Sequence, residues 1–170
     1  MPLPSEPPQY SYSTPVGAMD FWAPGGGRIT GVSSSDLSTV GYVRPPGFDA
    51  PYGVLTISIS NAPSFVTVQM LLPRPLPKGS RVIKVLRDGT FRDITGEVSI
   101  SGSILSFGIY DDSEMDSDDS PGSVRDPIII LENQNPQPAG GGGCYTGSAS
   151  YPFVLLYIAL LALLRRSLKL

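Results

Sequence analysis

Six acids fall within nine positions of the chain: Asp111, Asp112, Glu114, Asp116, Asp118 and Asp119. Carboxylates are hard oxygen donors, and calcium accepts roughly six to eight of them at flexible geometry. Asp111, Asp112, Asp116, Asp118 and Asp119 are therefore the candidate metal ligands, as a loose calcium site. The spacing departs from that of a helix-flanked calcium loop, which needs glycine at its sixth position and glutamate at its twelfth. Counted from Asp111, those positions hold Asp116 and Gly122. The competing reading is a solvated loop of mutually repelling charges. Paired carboxylates also hydrolyse glycosides, but that chemistry needs two acids fixed at a set separation. A run of six in a loop fixes none, so no catalytic residue is assigned here.

Other chemistries are excluded by residue type. The chain has no histidine and a single cysteine. The commonest general base and metal ligand is thus missing, and neither an internal disulfide nor a thiolate metal cluster can form. The chain is not expected to be an enzyme, and calcium is the one cofactor it invites. Gly25, Gly26 and Gly27 follow Pro24 without the spacing of a phosphate-cradling loop, and read as a plain loop.

Six basic residues, Arg74, Lys78, Arg81, Lys84, Arg87 and Arg92, stand within nineteen positions. They read as solvent-facing strand residues, some paired with the acidic loop or guarding a sheet edge. The alternative is a face for an anionic surface polymer. Arg165, Arg166 and Lys169 account for 3 of the 12 basic side chains, so residues 1–144 carry 9 basic and all 15 acidic groups, a net of −6. Nucleic acid is excluded as a partner, because phosphate binding needs a basic face. Phe21 and Trp22 read as core or rim aromatics rather than a ligand platform.

The elements that must hold these residues are strands. Residues 54–60 alternate, with Leu55, Ile57 and Ile59 on one face and Thr56, Ser58 and Ser60 on the other. Residues 65–72 alternate again, with Val66, Val68, Met70 and Leu72 on one face. Period two with β-branched residues marks half-buried strands. The prolines at 73, 75 and 77 cannot donate to a ladder, so this stretch is an extended connection. Residues 81–86 form the next strand, and Asp88-Gly89 a tight hairpin turn. A second hairpin turns at Gly102. The unbroken apolar run at 127–131 predicts a strand buried on both faces. Residues 1–15, rich in Pro, Ser and Tyr, read as a disordered lead-in. They also lack the basic and apolar regions of a secretory signal peptide, which predicts that Met1 lies inside a longer chain.

The last thirty residues differ in kind. Four glycines lead to Cys144, an uncharged segment spans 145–164, and Arg165-Arg166 closes it. About 20 residues of helix cross the hydrocarbon of a bilayer, and the arginines predict a cytoplasmic C-terminus. The membrane is therefore an expected partner, with Arg165 and Arg166 as the membrane stop. Cys144, at the end of a glycine approach, suits an enzyme that grips extended backbone. The predicted fold class is all-β, an antiparallel β-sandwich followed by one C-terminal transmembrane helix. Its domains are a lead-in (1–15), the sandwich (16–132), a Gly/Pro-rich linker (133–143) and the tail (144–170).

Three stretches carry a resemblance: PYGVLTISISNAPSFVTVQMLLPRPLPKGS (51–80), VIKVLRDGTFRDITGEVSISGSILSFGIYDD (82–112), and an acidic loop closing on VRDPIII (124–130). Together they resemble the choice-of-anchor U domain of bacterial surface proteins. The shared features are a Pro-Tyr-Gly strand entry, a Leu-Pro-x-Pro-Leu-Pro-x-Gly crossover and a hairpin leading to an aromatic-Asp-hydrophobic segment. The acidic loop departs from that family in having less glycine. The tail resembles the Gly-rich, Cys-containing C-terminal sorting signals of the Synergist-CTERM or JDVT-CTERM kind. These resemblances imply a non-catalytic domain beside its anchor in the bacterial cell envelope. They also imply a membrane-embedded processing enzyme as partner, cleavage near Gly143 and Cys144, and lipid on Cys144 as an option. The second reading of the domain is an adhesin- or carbohydrate-binding sandwich with calcium in the loop at 111–119.

Overall fold

The computed structural model describes residues 5–118 and 120–136. Eleven strands run through them in order: β1 (Tyr10–Thr14), β2 (Gly17–Trp22), β3 (Arg28–Ser35), β4 (Phe48–Asp49), β5 (Val54–Ser60), β6 (Phe65–Leu71), β7 (Arg81–Val85), β8 (Phe91–Asp93), β9 (Ser99–Ser101), β10 (Ile104–Tyr110) and β11 (Ser123–Asn133). The only helical pieces among these residues are two 3-10 turns, Leu37–Thr39 and Thr95–Glu97. The strands form two sheets. One has the order β1-β2-β6-β10-β9; the other has β3-β5-β11-β7-β8, with β4 also on β11. Every pairing is antiparallel. The all-β antiparallel fold predicted from alternation is the fold observed.

One apolar cluster joins the sheets. Met19, Phe21, Val68, Met70, Leu105 and Phe107 enter it from the first sheet, and Leu55, Ile57, Val82, Ile128 and Ile130 from the second. The alternation at 54–60 and 65–71 places these residues as expected, because successive side chains leave a strand on opposite faces. The second sheet is covered on its outer face too. Val54, Ile83, Val85, Ile129 and Leu131 pack there beneath Leu37, Val40, Tyr42, Phe48 and Ala50. The segment from η-turn Leu37–Thr39 to β4 is thus a cover, and it explains why 128–131 carries no polar alternation.

The lead-in needs correcting. Residues 10–14 form β1, paired in register with β2 from Tyr10↔Phe21 to Thr14↔Gly17. Tyr10 and Tyr12 alternate with serines and pack on the core, so two aromatic rings offset the ordering cost that composition alone made too large. Phe21 and Trp22 are buried, and the indole Nε1–H of Trp22 donates to the Glu6 carbonyl at 3.0 Å.

The expected transmembrane helix, together with Gly143, Cys144, Arg165 and Arg166, lies outside the described residues. Among the described residues no helix is long and apolar enough to cross a membrane.

Candidate functional site

The acidic loop connects β10 to β11 and crosses from one sheet to the other. It docks where β7 stops. Ser117 N–H donates to the Arg125 carbonyl at 2.9 Å, and Arg87 N–H to the Glu114 carbonyl at 3.0 Å. The loop thereby takes the place beside β11 that β7 vacates. Pro127, inside a central strand, is tolerated for the same reason: registered pairs between β11 and β7 begin only at Ile128.

Three of the loop carboxylates, those of Asp111, Asp116 and Asp118, accept hydrogen bonds from the loop and the start of β11. Asp111 Oδ1 is buried with no partner among the described residues. Asp116 is fully buried. Its Oδ1 accepts the N–H groups of Asp118 and Arg125, both at 2.9 Å, and its Oδ2 accepts that of Asp112 at 3.4 Å. Asp111 Oδ2 accepts Gly122 N–H at 2.7 Å. Asp118 accepts Ser120 N–H and the Ser123 hydroxyl; these bonds hold its carboxyl below the usual range. Asp112 lies in the left-handed region at φ 60°, and Asp119 lies outside the described residues. The fold brings Asp112, Asp116 and Asp118 together through backbone amides. Among the described residues no three acidic or sulfur groups are arranged to hold a metal ion.

The basic cluster separates into different roles. Arg87 donates to the carbonyls of Asp116 and Asp118, both at 2.8 Å, and braces the loop. Arg92 bridges Glu97 at 2.8 Å and Glu114 at 3.2 Å. Arg81 lies over the Phe48 ring, 5.0 Å from its centroid. Arg74 pairs with the buried Glu132 through two bonds, at 2.6 and 3.3 Å. Of the expected roles, pairing with the acidic loop is filled by Arg87 and Arg92.

Lys84 does not face solvent. It is buried between the sheets, and its Nζ donates to Oδ1 of Asp126, which is also fully buried. Lys84 shares a phase with Val82 on β7, and Asp126 shares one with Val124, Ile128 and Ile130 on β11; all of these enter the inner core. Lys84 stands opposite Ile128 in the ladder, so Asp126 is its diagonal neighbour on the same face. The Phe107 ring of the opposite sheet lies 5.5 Å from the ammonium. Burial pushes the Lys84 ammonium down to about 7, and the negative charge of Asp116 opposes that. Asp126 Oδ2 is buried with no hydrogen-bond partner among the described residues. Sequence reasoning missed this pair. The available signal was phase: each charged residue falls on the inward beat of its strand.

A second buried polar group sits where the chain leaves the sandwich. Glu132, on the last strand, accepts Arg74 from the proline crossover and the Tyr52 hydroxyl from the Pro-Tyr-Gly entry at 3.4 Å. Asn133 Nδ2–H donates to the Lys78 carbonyl at 2.9 Å. One surface depression borders the acidic loop: about 320 Å³ in volume, it is lined by Ser117 of that loop, Val85, Arg125 and Pro127. Another, of about 500 Å³, runs between Tyr12, Ser34, Asp36 and Pro51, and one of about 420 Å³ is flanked by Trp22 and the Gly25–27 loop. Neither of these two is lined by the acidic loop or by Lys84. No protein-family model, no curated protein and no solved structure matches the chain.

Proposed function

We propose that the chain is a non-catalytic, extracytoplasmic β-sandwich module of a bacterial surface protein, of the choice-of-anchor U kind. In this reading the tail from Gly140 holds or sorts it to the cell envelope. The observation that carries the reading is the clasp at Glu132. Tyr52 and Arg74, from the two sequence motifs most like that family, both converge on the residue at which the last strand leaves the fold. That strand is central in its sheet, pairing with β4, β5 and β7. Tension applied through the tail therefore reaches the middle of the sheet, which suits a module placed next to an anchor. The segment 145–164 serves as a transmembrane helix, Arg165 and Arg166 stop it, and a membrane-embedded enzyme cleaves near Gly143 and Cys144.

The test is to export the full chain behind a bacterial signal peptide and fractionate the cells. The expected result is a chain in the envelope fraction whose β-domain is reached by protease added from outside. Deleting residues 145–170 should release it to the soluble fraction. An unchanged distribution after that deletion would refute the anchor.

A further inference from the structure

We infer that Lys84 and Asp126 are joined by an intramolecular amide bond between Lys84 Nζ and Asp126 Cγ, with Asp116 relaying the proton. The inference stands on the sandwich core and does not depend on the envelope reading.

Four observations lead to it. The nucleophile and the carboxyl are already in contact, on adjacent strands and on one face. Both are fully enclosed, and a dry site lowers the competing hydration that keeps such pairs as ions. The second oxygen of Asp126 has no partner among the described residues, so no hydrogen bond would be lost if its C–O bond broke. Finally, a further buried carboxyl, that of Asp116, lies in the loop segment next to β11. Asp116 is fixed by the N–H of Arg125, the residue before Asp126, and its charge is felt at Lys84.

The chemistry balances without any co-reactant. A proton passes from the Lys84 ammonium to the Asp126 carboxylate, which turns the ion pair into amine and acid. The low-dielectric core favours this neutral form. Burial, which pushes the Lys84 ammonium down to about 7, favours the amine far more than in an ordinary lysine. The Nζ lone pair attacks Cγ, a C–N bond forms, and the carbonyl π pair moves to oxygen. Asp116 takes a proton from nitrogen and returns it to the departing hydroxyl. The C–O bond breaks, water leaves, and an uncharged amide remains. Fixed geometry makes this favourable, since well-oriented intramolecular partners reach effective molarities of about 10⁵ M and above. The product also removes a buried ion pair, an arrangement often no better than an apolar one.

The bond would tie β11, which leads to the tail, to its neighbour β7. The test uses the full chain, denatured and digested with trypsin and a glutamate-specific protease. The expected product is a branched species joining residues 82–87 to 126–132. It should weigh one water less than its two parts and remain uncut after Lys84. Asp126→Asn should give the same branched species with loss of ammonia in place of water. Lys84→Arg should give none. Asp116→Asn keeps an acceptor for the loop amides; it should fold, as judged by circular dichroism, and leave the peptides unlinked. Recovery of free 82–84, 85–87 and 126–132 from the folded wild-type chain would overturn the inference, and that result needs no variant to fold. A water lost at Asp88-Gly89 would appear in a different peptide and would not mimic it.

Discussion

Arg74 and Glu132 lie 58 residues apart in the chain, and their side chains meet at 2.6 Å. The partners are unequal: the arginine is half exposed, the glutamate almost wholly buried. Glu132 depends on Arg74 because a buried carboxylate is costly unless it is paired and hydrogen-bonded. Arg44 and Asp49 make an equally close contact with both partners half exposed, the kind of pair that contributes little. Arg74→Ala should therefore lower the melting temperature clearly more than Arg44→Ala. Equal effects in thermal melts would show that the Glu132 clasp does not stabilise the fold.

Tyr52 gives the same clasp a pH signature. Its hydroxyl is pushed up from 10.0 to about 12, first by burial and then by the charge of Glu132, with Arg74 opposing. The folded chain keeps this proton where the unfolded chain has lost it. Its contribution is thus fully present below about pH 10 and is lost as pH rises towards 12. Tyr52→Phe should flatten the alkaline fall in stability while changing neutral-pH stability by less than about 1 kcal/mol, since the bond is long. Urea denaturation across that pH range measures both effects.

Gly53 separates two reasons for a glycine. It sits at φ 63°, and a Cβ there would stand 2.4 Å from the Ser35 carbonyl oxygen. Gly41, at φ 72°, has open space where its Cβ would go. Gly41→Ala should cost about 1 kcal/mol, the left-handed backbone term alone. Gly53→Ala carries the same term and must also displace backbone, so it should cost distinctly more. Similar costs in urea denaturation would mean that the strand entry is soft enough to move aside.

Much of this fold could be read from alternation. The inward residues of β5 and β6 are those the two-residue period selects, and the apolar run at 128–131 is buried on both faces as its composition demands. Two features escaped. Tyr10 and Tyr12 sit in a stretch too polar for a core of its own, and gain order only by pairing with β2. Lys84 looked like an edge charge because strand patterning gives phase but not depth. Only the register of β7 on β11 shows that its inward beat meets Asp126. The acidic loop was legible as charge and not as architecture, since its carboxylates answer to backbone amides that no residue pattern reveals.

Those amides decide what the loop does with calcium. Asp116 Oδ1 is occupied by two N–H groups, and both oxygens of Asp118 already accept bonds. Ligating an ion would require breaking these bonds. Millimolar calcium should leave the melting temperature unmoved. Asp116→Ala should destabilise the chain by about 1–3 kcal/mol, because buried amide donors lose their acceptor, and by the same amount with or without calcium. Glu114→Ala, whose partner Arg92 is also exposed, should change stability by no more than about 0.5 kcal/mol. A genuine calcium site would behave differently: stability would climb with calcium concentration above its dissociation constant, and Asp116→Ala would abolish the climb. That outcome would restore the loop as a metal site and demand that its carboxylates turn outward from the amides they now hold.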